Sequence, residues 1–187
     1  LGVHVPRTAH VRLLINGKLV GVFLLVEVID DVFMKSRFAD QGAGNLYKEA
    51  WPVGDDESRY LAAIEESGTK PVSANKIASF GRELAVADDK TLPVVAARWL
   101  DLDYMARYVA VDRAIRHDDG PYHWYCGSSF ASESWHMQRA YAGESCGNHN
   151  YFWYEEAQRN KLWIIPWDLD LSIPVGGGLA QISSRWD

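Results

Sequence analysis

The chain has 187 residues, of which 48% are hydrophobic and 24% are charged, a composition typical of a globular domain. Its net charge of -6 argues against a general nucleic-acid binder, which needs a basic surface to displace counterions. No apolar run reaches the length that a membrane-spanning helix needs. Because the chain begins at Leu1 in the middle of a pattern, we expect a fragment that is truncated at both ends.

The first predicted element is a β-hairpin in residues 10–30. Two β-rich runs flank Asn16 and Gly17, a pair that tolerates the positive φ angles of a type I′ turn. The second strand is expected to end at Glu27.

A short helix and a short strand are predicted next. Asp30 and Asp31 are typical of a helix N-cap, and they precede an amphipathic segment that extends to Phe38. The glycine-marked stretch "QGAGNLYKEA" then leads into a strand that carries Lys48.

The middle of the chain is predicted to be helical. Residues 55–90 have a helical pattern with one Gly- and Pro-containing break, and Pro93 interrupts it. The clearest helix follows in residues 101–117 and ends before Gly120. Its expected inward-facing side chains are Leu102, Met105, Tyr108 and Val109.

A second hairpin is predicted near the end of the chain. The runs "NYFWYE" and "KLWIIPW" are joined by a polar turn, and the second run leads directly to Asp168 and Asp170. Taken alone, Asp-x-Asp at a strand end is ordinary turn chemistry.

The order of the polar residues favours phosphoryl transfer. A helix ends at Asp118 and Asp119, Asn150 follows, and Asp168 lies beyond the hairpin. Protein kinases place a catalytic Asp, a metal-binding Asn and a metal-binding Asp in this chain order. Oxygen ligands of this kind suit Mg²⁺ or Mn²⁺.

The first half of the chain supplies candidates for the opposite side of such a site. Lys48 is expected to face phosphate, with Glu27 orienting the lysine or a metal. The sequence has no GxGxxG phosphate loop, so an ordinary protein kinase is excluded.

Four segments together resemble the spore-coat protein H (CotH) kinase family of atypical, secreted kinases. They are "VPRTAHVRLLINGKLVGVFLLVEVIDDVFMKSRF", "GNLYKEA", "HNYFWYEE" and "KLWIIPWDLD". The resemblance covers most of residues 5–172, and it is weak in the middle helices. Each motif alone is unspecific, and their shared order carries the likeness.

The resemblance implies a role for each candidate residue. Asp119 is the expected catalytic carboxylate and Asp168 the principal metal ligand, with Asn150 as a second ligand and Asp170 as a supporting acid. The residues implied on the nucleotide side are Lys48, Glu27 and Arg7. The implied cofactors are ATP and Mg²⁺ or Mn²⁺, and the implied partner is a Ser/Thr-rich secreted or coat protein. The expected location is extracellular, on the cell surface or in the spore coat.

The expected fold class is α+β with a kinase-like arrangement. A single domain, 1–187, is divided into a small β-rich N-terminal lobe in residues 1–54 and a larger mixed helical lobe in residues 55–187. Residues 127–148 are expected to be an insertion.

Three points stay open at the level of the sequence. Either Asp118 or Asp119 faces the substrate, because adjacent side chains in an extended loop diverge. Either His123-Trp124 or His149-Asn150 occupies the site. The third point is whether Cys126 and Cys146 form a disulfide, which would indicate an oxidising compartment, or remain two thiols.

Two other functions compete with the kinase. A catalytically weak, kinase-like binding module in coat assembly or surface adhesion would need no converging charges. A glycoside hydrolase would use paired carboxylates and exposed tryptophans, whereas tryptophans buried in the hairpin would oppose it.

Overall fold

The computed structural model describes residues 1–126, 138–139 and 145–173. The described residues form a mixed α+β fold. The helices are α1 (Asp31–Arg37), α2 (Glu57–Ala62), α3 (Asn75–Val86), α4 (Leu92–Trp99) and α5 (Leu102–Ala114), followed by a short 3-10 helix at Leu169–Leu171. The strands are β1 (Thr8–Ile15), β2 (Lys18–Val26), β3 (Asn45–Lys48), β4 (Ile64–Ser67), β5 (Tyr125–Cys126), β6 (Gln138–Arg139), β7 (Ser145–Gly147), β8 (Tyr151–Glu156) and β9 (Lys161–Pro166).

The N-terminal hairpin forms as predicted. Strands β1 and β2 pair in antiparallel fashion around the two-residue loop Asn16-Gly17. Both loop residues have positive φ angles, 51° and 78°, as a type I′ turn requires. Asp30 caps α1 by accepting the backbone N–H groups of Val32 and Phe33, which confirms the predicted helix start.

A four-stranded antiparallel sheet in the order β4-β3-β8-β9 forms the centre of the fold. The predicted hairpin near the chain end is its β8-β9 pair, and β3 lies on the other side of β8. In this register Lys48 is opposite Phe152, and Phe152 is opposite Ile165. The C-terminal ends of β3 and β9 therefore lie beside the N-terminal end of β8.

Aromatic side chains cover both faces of this sheet. Phe38, which follows α1, packs against Tyr154 and Trp163, with ring centroids 4.4 Å and 5.9 Å apart. Trp153 points to the opposite face, as alternation along a strand requires, and its ring lies 6.1 Å from that of Trp51. Strands β3, β8 and β9 are consequently buried on both sides, and they give the strand ends a rigid support.

The middle of the chain departs from the prediction in two places. Residues Ile64–Ser67 form strand β4 rather than the end of a helix, because they pair with the free edge of β3. Pro93 does not separate helices: it lies in the first turn of α4, where the missing N–H costs nothing.

The face predicted for α5 is only partly correct: Tyr108 is buried and Met105 packs against the core, but the other two predicted residues do not face inward. Leu102 and Val109 are exposed, whereas Tyr104, Tyr108 and Asp112 are buried. The buried residues recur every four positions, so polar and aromatic side chains form the stripe that faces the core.

A small three-stranded sheet in the order β5-β7-β6 lies in the region predicted as an insertion. Its backbone register places Cys126 opposite Cys146. The side chains of both cysteines and most of residues 127–148 lie outside the described residues, so the insertion and the disulfide stay predictions. The division into two kinase-like lobes also stays a prediction. No described helix is long and apolar enough to cross a bilayer.

Candidate active site

Three of the predicted site residues lie at one end of the central sheet. Lys48 ends β3, Asn150 precedes β8, and Asp168 follows β9 by two residues. The backbone N–H of Trp167 donates to the Asn150 carbonyl at 3.0 Å, which extends the β8-β9 ladder up to Asp168. Sheet register, rather than proximity in sequence, therefore brings these three residues together.

Asn150 connects this sheet end to the loop that follows α5. Its side-chain amide donates to the Asp119 carboxylate at 2.8 Å and to the Asp119 carbonyl at 3.0 Å. Asn150 also has a left-handed backbone, with φ 61°. Such conformations cost free energy in non-glycine residues and persist where the surroundings determine them, often at functional sites.

These contacts favour one alternative in each of two points that the sequence leaves open. Asp119 lies beside Asn150, whereas Asp118 points elsewhere and forms an ion pair with Arg116 at 3.0 Å. The segment beside Asp119 is therefore His149-Asn150, in spite of the long insertion that precedes it.

Asp168 lies in a concentration of negative charge. Loss of hydration at the strand end raises the pKa of its carboxyl group above the usual value, and so do the nearby charges of Asp170 and Asp119. A hydrogen bond between Asp168 and Asp170 acts in the same direction, whereas His117 acts in the opposite one. Asp168 also has a left-handed backbone, with φ 49°, and caps no helix with its side chain. Ordinary helix capping therefore does not explain Asp168.

Glu49 is a site residue that the sequence interpretation missed. It is 5% exposed, and its carboxylate accepts the backbone N–H of Asn150 at 3.0 Å. The same carboxylate lies 3.5 Å from the ring of His149. A glutamate after a strand lysine has no distinctive sequence pattern. Only its contact with Asn150, 101 positions away, indicates that Glu49 belongs to the site.

His117 and Asp112 are a second missed pair. Both are buried, and the His117 Nδ1 atom lies 3.2 Å from Asp112 Oδ1. Together they fix the backbone that leads from α5 to Asp119. Asn148 fixes the other end of this loop: it is fully buried, donates to the Pro121 carbonyl at 2.7 Å, and accepts the Tyr151 hydroxyl at 2.9 Å.

The residues expected on the nucleotide side divide into two groups. The Lys48 side chain is half-buried and makes no ion pair within the described part of the chain. Glu27 instead binds two arginines: the Arg7 guanidinium donates to it at 2.5 Å and 3.1 Å, and Arg37 donates from α1. These hydrogen bonds, that from Arg7 foremost, lower the pKa of Glu27 to about 2. The structure thus does not bring Glu27 into contact with Lys48.

Asp119, Asp168 and Asp170, together with Asn150, form an acidic group that would suit a hydrated divalent cation better than a metal bound by protein ligands alone. Within residues 1–126, 138–139 and 145–173, no group of three or more His, Cys, Asp or Glu side chains has the arrangement of a metal site. Mg²⁺ usually keeps several waters and takes one or two carboxylates together with phosphate oxygens. The mutual repulsion that raises the pKa of Asp168 is what such a cation would relieve.

The chain matches a known protein family. The model of the family described as CotH kinase protein matches residues 1–178, which is nearly the whole chain. No curated protein matches the sequence. The chain therefore belongs to the CotH kinase family, as the order of its motifs indicated.

Proposed function

We propose that the protein transfers the γ-phosphoryl group of ATP to Ser or Thr side chains, with Mg²⁺ or Mn²⁺ as cofactor. Membership of the CotH kinase family supports kinase-like activity in general. The observation that carries the proposal is the hydrogen bond from Asn150 to Asp119 beside Asp168, because it joins a loop carboxylate to the acidic end of a rigid hairpin.

Each residue of the acidic group has a distinct role in this proposal. Asp119 orients the attacking hydroxyl group and accepts its proton. Asp168 is the principal metal ligand, Asn150 offers its amide oxygen as the second, and Asp170 adds charge next to Asp168. The hydrogen bond to Asp119 uses the amide nitrogen of Asn150, which leaves the amide oxygen available as a metal ligand.

When bound, a divalent cation neutralises the charge on the phosphate oxygens and orients them. The protein supplies the position of these groups. Phosphoryl transfer needs little covalent chemistry from protein side chains, so a rigid arrangement and the correct charges supply most of the catalysis.

Lys48 is the proposed contact to the nucleotide phosphates. It lies on the strand beside the metal hairpin, and its ammonium group makes no ion pair within the described residues. Arg7 and Glu27 belong to the nucleotide side in a supporting role, since the Glu27 carboxylate is already hydrogen-bonded to two guanidinium groups.

We propose secreted or spore-coat-type proteins rich in Ser and Thr as substrates, and an extracellular, cell-surface or spore-coat location. Both proposals come from the resemblance to secreted CotH kinases. A Cys126–Cys146 disulfide would support the location, because disulfides persist in oxidising compartments.

A binding module in coat assembly or surface adhesion is the second candidate function. The hairpin β1-β2 favours it, since Val22 and Leu24 on one face and Leu25 on the other are 67%, 55% and 60% exposed. A glycoside hydrolase is disfavoured, because Trp153 and Trp163 are buried in the β8-β9 hairpin instead of lining a cleft.

A thermal-shift titration tests the proposed function. ATP with Mg²⁺ or Mn²⁺ should raise the melting temperature of the wild type in a concentration-dependent way, because binding to the native state stabilises it. Asp168→Ala should fold but lose this shift, since the residue is exposed at a strand exit. An unchanged shift in the mutant would contradict the metal assignment, and no shift in the wild type would favour the binding module.

A further inference from the structure

We propose that Glu49 is a positioning residue that holds Asn150 in the orientation in which it reaches Asp119 and a metal ion. This inference rests on the proposed function, and it assigns a role to a residue that the motifs of the acidic group do not include. Glu49 itself contacts neither ATP nor substrate in this account.

The first support is a pair of reciprocal hydrogen bonds. The Asn150 N–H donates to Glu49 Oε1 at 3.0 Å, and the Glu49 N–H donates to the Tyr151 carbonyl at 3.1 Å. Glu49 therefore binds the residue that it positions and also the next one along the chain. Two bonds to adjacent residues restrict rotation of the backbone between them.

The second support is the conformation of Asn150. Asparagine tolerates a left-handed backbone better than most residues with a side chain, and at Asn150 two neighbouring groups hold this conformation. Glu49 holds the N–H of Asn150, while the N–H of Trp167 holds its carbonyl. With both backbone groups held, the side-chain amide is directed at Asp119.

The third support is the free energy that is needed to bury the carboxyl group of Glu49. A carboxyl group that is only 5% exposed is expensive to bury without polar partners, and the Asn150 N–H and the His149 ring at 3.5 Å are such partners. Packing alone would be satisfied by an uncharged side chain. A charged acceptor forms a stronger hydrogen bond to a backbone N–H than a neutral one, which suits the holding of Asn150 in its left-handed conformation.

Glu49 also determines the spacing between two parts of the site. It directly follows Lys48 on β3, and its carboxylate ends at the residue that begins the β8-β9 hairpin. The lysine strand and the metal hairpin are thus joined at the sheet end by this one side chain as well as by the strand ladder.

The test measures Mn²⁺ affinity in the presence of ATP, together with hydrogen exchange at the backbone N–H of Asn150. Glu49→Ala should weaken Mn²⁺ binding by about 10- to 100-fold, the usual effect of removing a group that orients a metal ligand. It should also speed exchange at Asn150. Glu49→Gln keeps an acceptor oxygen and should recover most of the Mn²⁺ affinity.

Glu155→Ala is the matched control. Glu155 is another buried carboxylate on β8, but it accepts the Tyr47 hydroxyl at 2.8 Å and lies outside the acidic group. Its removal should lower the melting temperature and leave Mn²⁺ affinity unchanged. A purely structural role for Glu49 predicts the same behaviour for Glu49→Ala, and that result would overturn the inference.

Failure of the proposed function gives a different result. If the wild type binds no Mn²⁺ with ATP, the metal site is wrong, whatever the variants do. Exchange at Asn150 then decides the inference alone: faster exchange in Glu49→Ala supports the positioning contact, and unchanged exchange overturns it.

Discussion

Asn150 donates its side-chain amide to the Asp119 carboxylate at 2.8 Å, although 31 positions separate the two residues. This contact joins the loop after α5 to the hairpin that leads to Asp168. It explains how a long insertion between the two segments is compatible with one site. Strands β5 and β7 pair with each other on either side of most of the insertion, so the contact from Asn150 to Asp119 does not depend on the length of the insertion.

Two substitutions at Asn150 separate its side chain from its backbone. Asn150→Gly and Asn150→Ala both remove the amide, and each should weaken Mn²⁺ binding with ATP by about tenfold or more. Only alanine should also destabilise the fold, by about 1 kcal/mol relative to glycine, because alanine tolerates a left-handed backbone poorly. Isothermal titration and urea denaturation measure the two effects. Wild-type Mn²⁺ affinity in both variants would exclude Asn150 as a ligand.

The raised pKa of Asp168 predicts how metal binding depends on pH. Ionised Asp168 is less favourable in the folded state than in the unfolded state, so its ionisation reduces stability as the pH rises through the raised pKa. A bound cation would offset this loss of stability, and protons would compete with the cation for the Asp168 carboxylate. We expect Mn²⁺ affinity to fall as the pH is lowered from about 8 to about 4. The fall should begin at a higher pH than it would for a carboxylate with the usual pKa.

Asp170→Asn tests whether the charge of Asp170 raises the pKa of Asp168. Removal of the neighbouring charge should lower the pKa of Asp168, so the loss of Mn²⁺ affinity should move to lower pH. The same variant should leave stability within about 1 kcal/mol, since Asp170 is exposed. An identical pH profile in wild type and variant would show that Asp170 does not influence the metal ligand.

Glu27 gives a pH dependence of the opposite sign. Its pKa falls from 4.5 to about 2 in the folded state, because Arg7 and Arg37 donate to its carboxylate. Its contribution to stability is therefore complete above the unfolded pKa and disappears as the pH falls through about 2. Glu27→Gln should cost about 1 kcal/mol at neutral pH, the scale of a partly exposed ion pair, and clearly less near pH 2, where Glu27 is partly protonated in the folded state. Urea denaturation at both pH values measures this, and an equal cost at both would contradict the explanation.

The backbone register predicts a disulfide between Cys126 and Cys146. Directly opposite residues of an antiparallel pair have Cα atoms about 4.5–5.5 Å apart, within the range of disulfides. The bond would close a loop of about 20 residues and contribute about 3 kcal/mol in the loop-entropy model. Mass spectrometry without reductant should show a protein two protons lighter than its reduced form. Two alkylatable thiols in non-reduced material would contradict the pairing and remove the argument for an oxidising compartment.

Local signals in the sequence predict the outer elements of the fold well. Asn16-Gly17, the cap at Asp30 and the alternating runs around the β8-β9 turn each act through neighbouring residues, so a short window is sufficient. Strand β4 could not be found in this way. Its four residues follow a helical pattern, and only pairing with β3 gives them an extended conformation.

The same difference between local signals and long-range contacts applies to the residues of the candidate site. The carboxylates of the acidic group stand in recognisable motifs, and their order in the chain was sufficient to propose one site, but only the contact from Asn150 to Asp119 distinguishes these two residues from their alternatives. Glu49 and Asp112 have no such motif. Both are buried acids: the partner of Glu49 lies 101 positions away, and the apolar pattern of α5 did not indicate Asp112 as an inward-facing residue.

Kinase activity is measured most directly as transfer of radiolabelled phosphate from ATP, with Mn²⁺ or Mg²⁺, to a Ser/Thr-rich protein or to the chain itself. Asp119→Asn is nearly isosteric and spares the proposed metal ligand Asp168, so ATP binding should persist while transfer falls by about 10²-fold or more. Asp118→Asn is the matched control, because Asp118 pairs with Arg116 away from the acidic group, and it should transfer phosphate like the wild type. Equal transfer by wild type and Asp119→Asn, or no transfer by a wild type that binds ATP, would contradict the account.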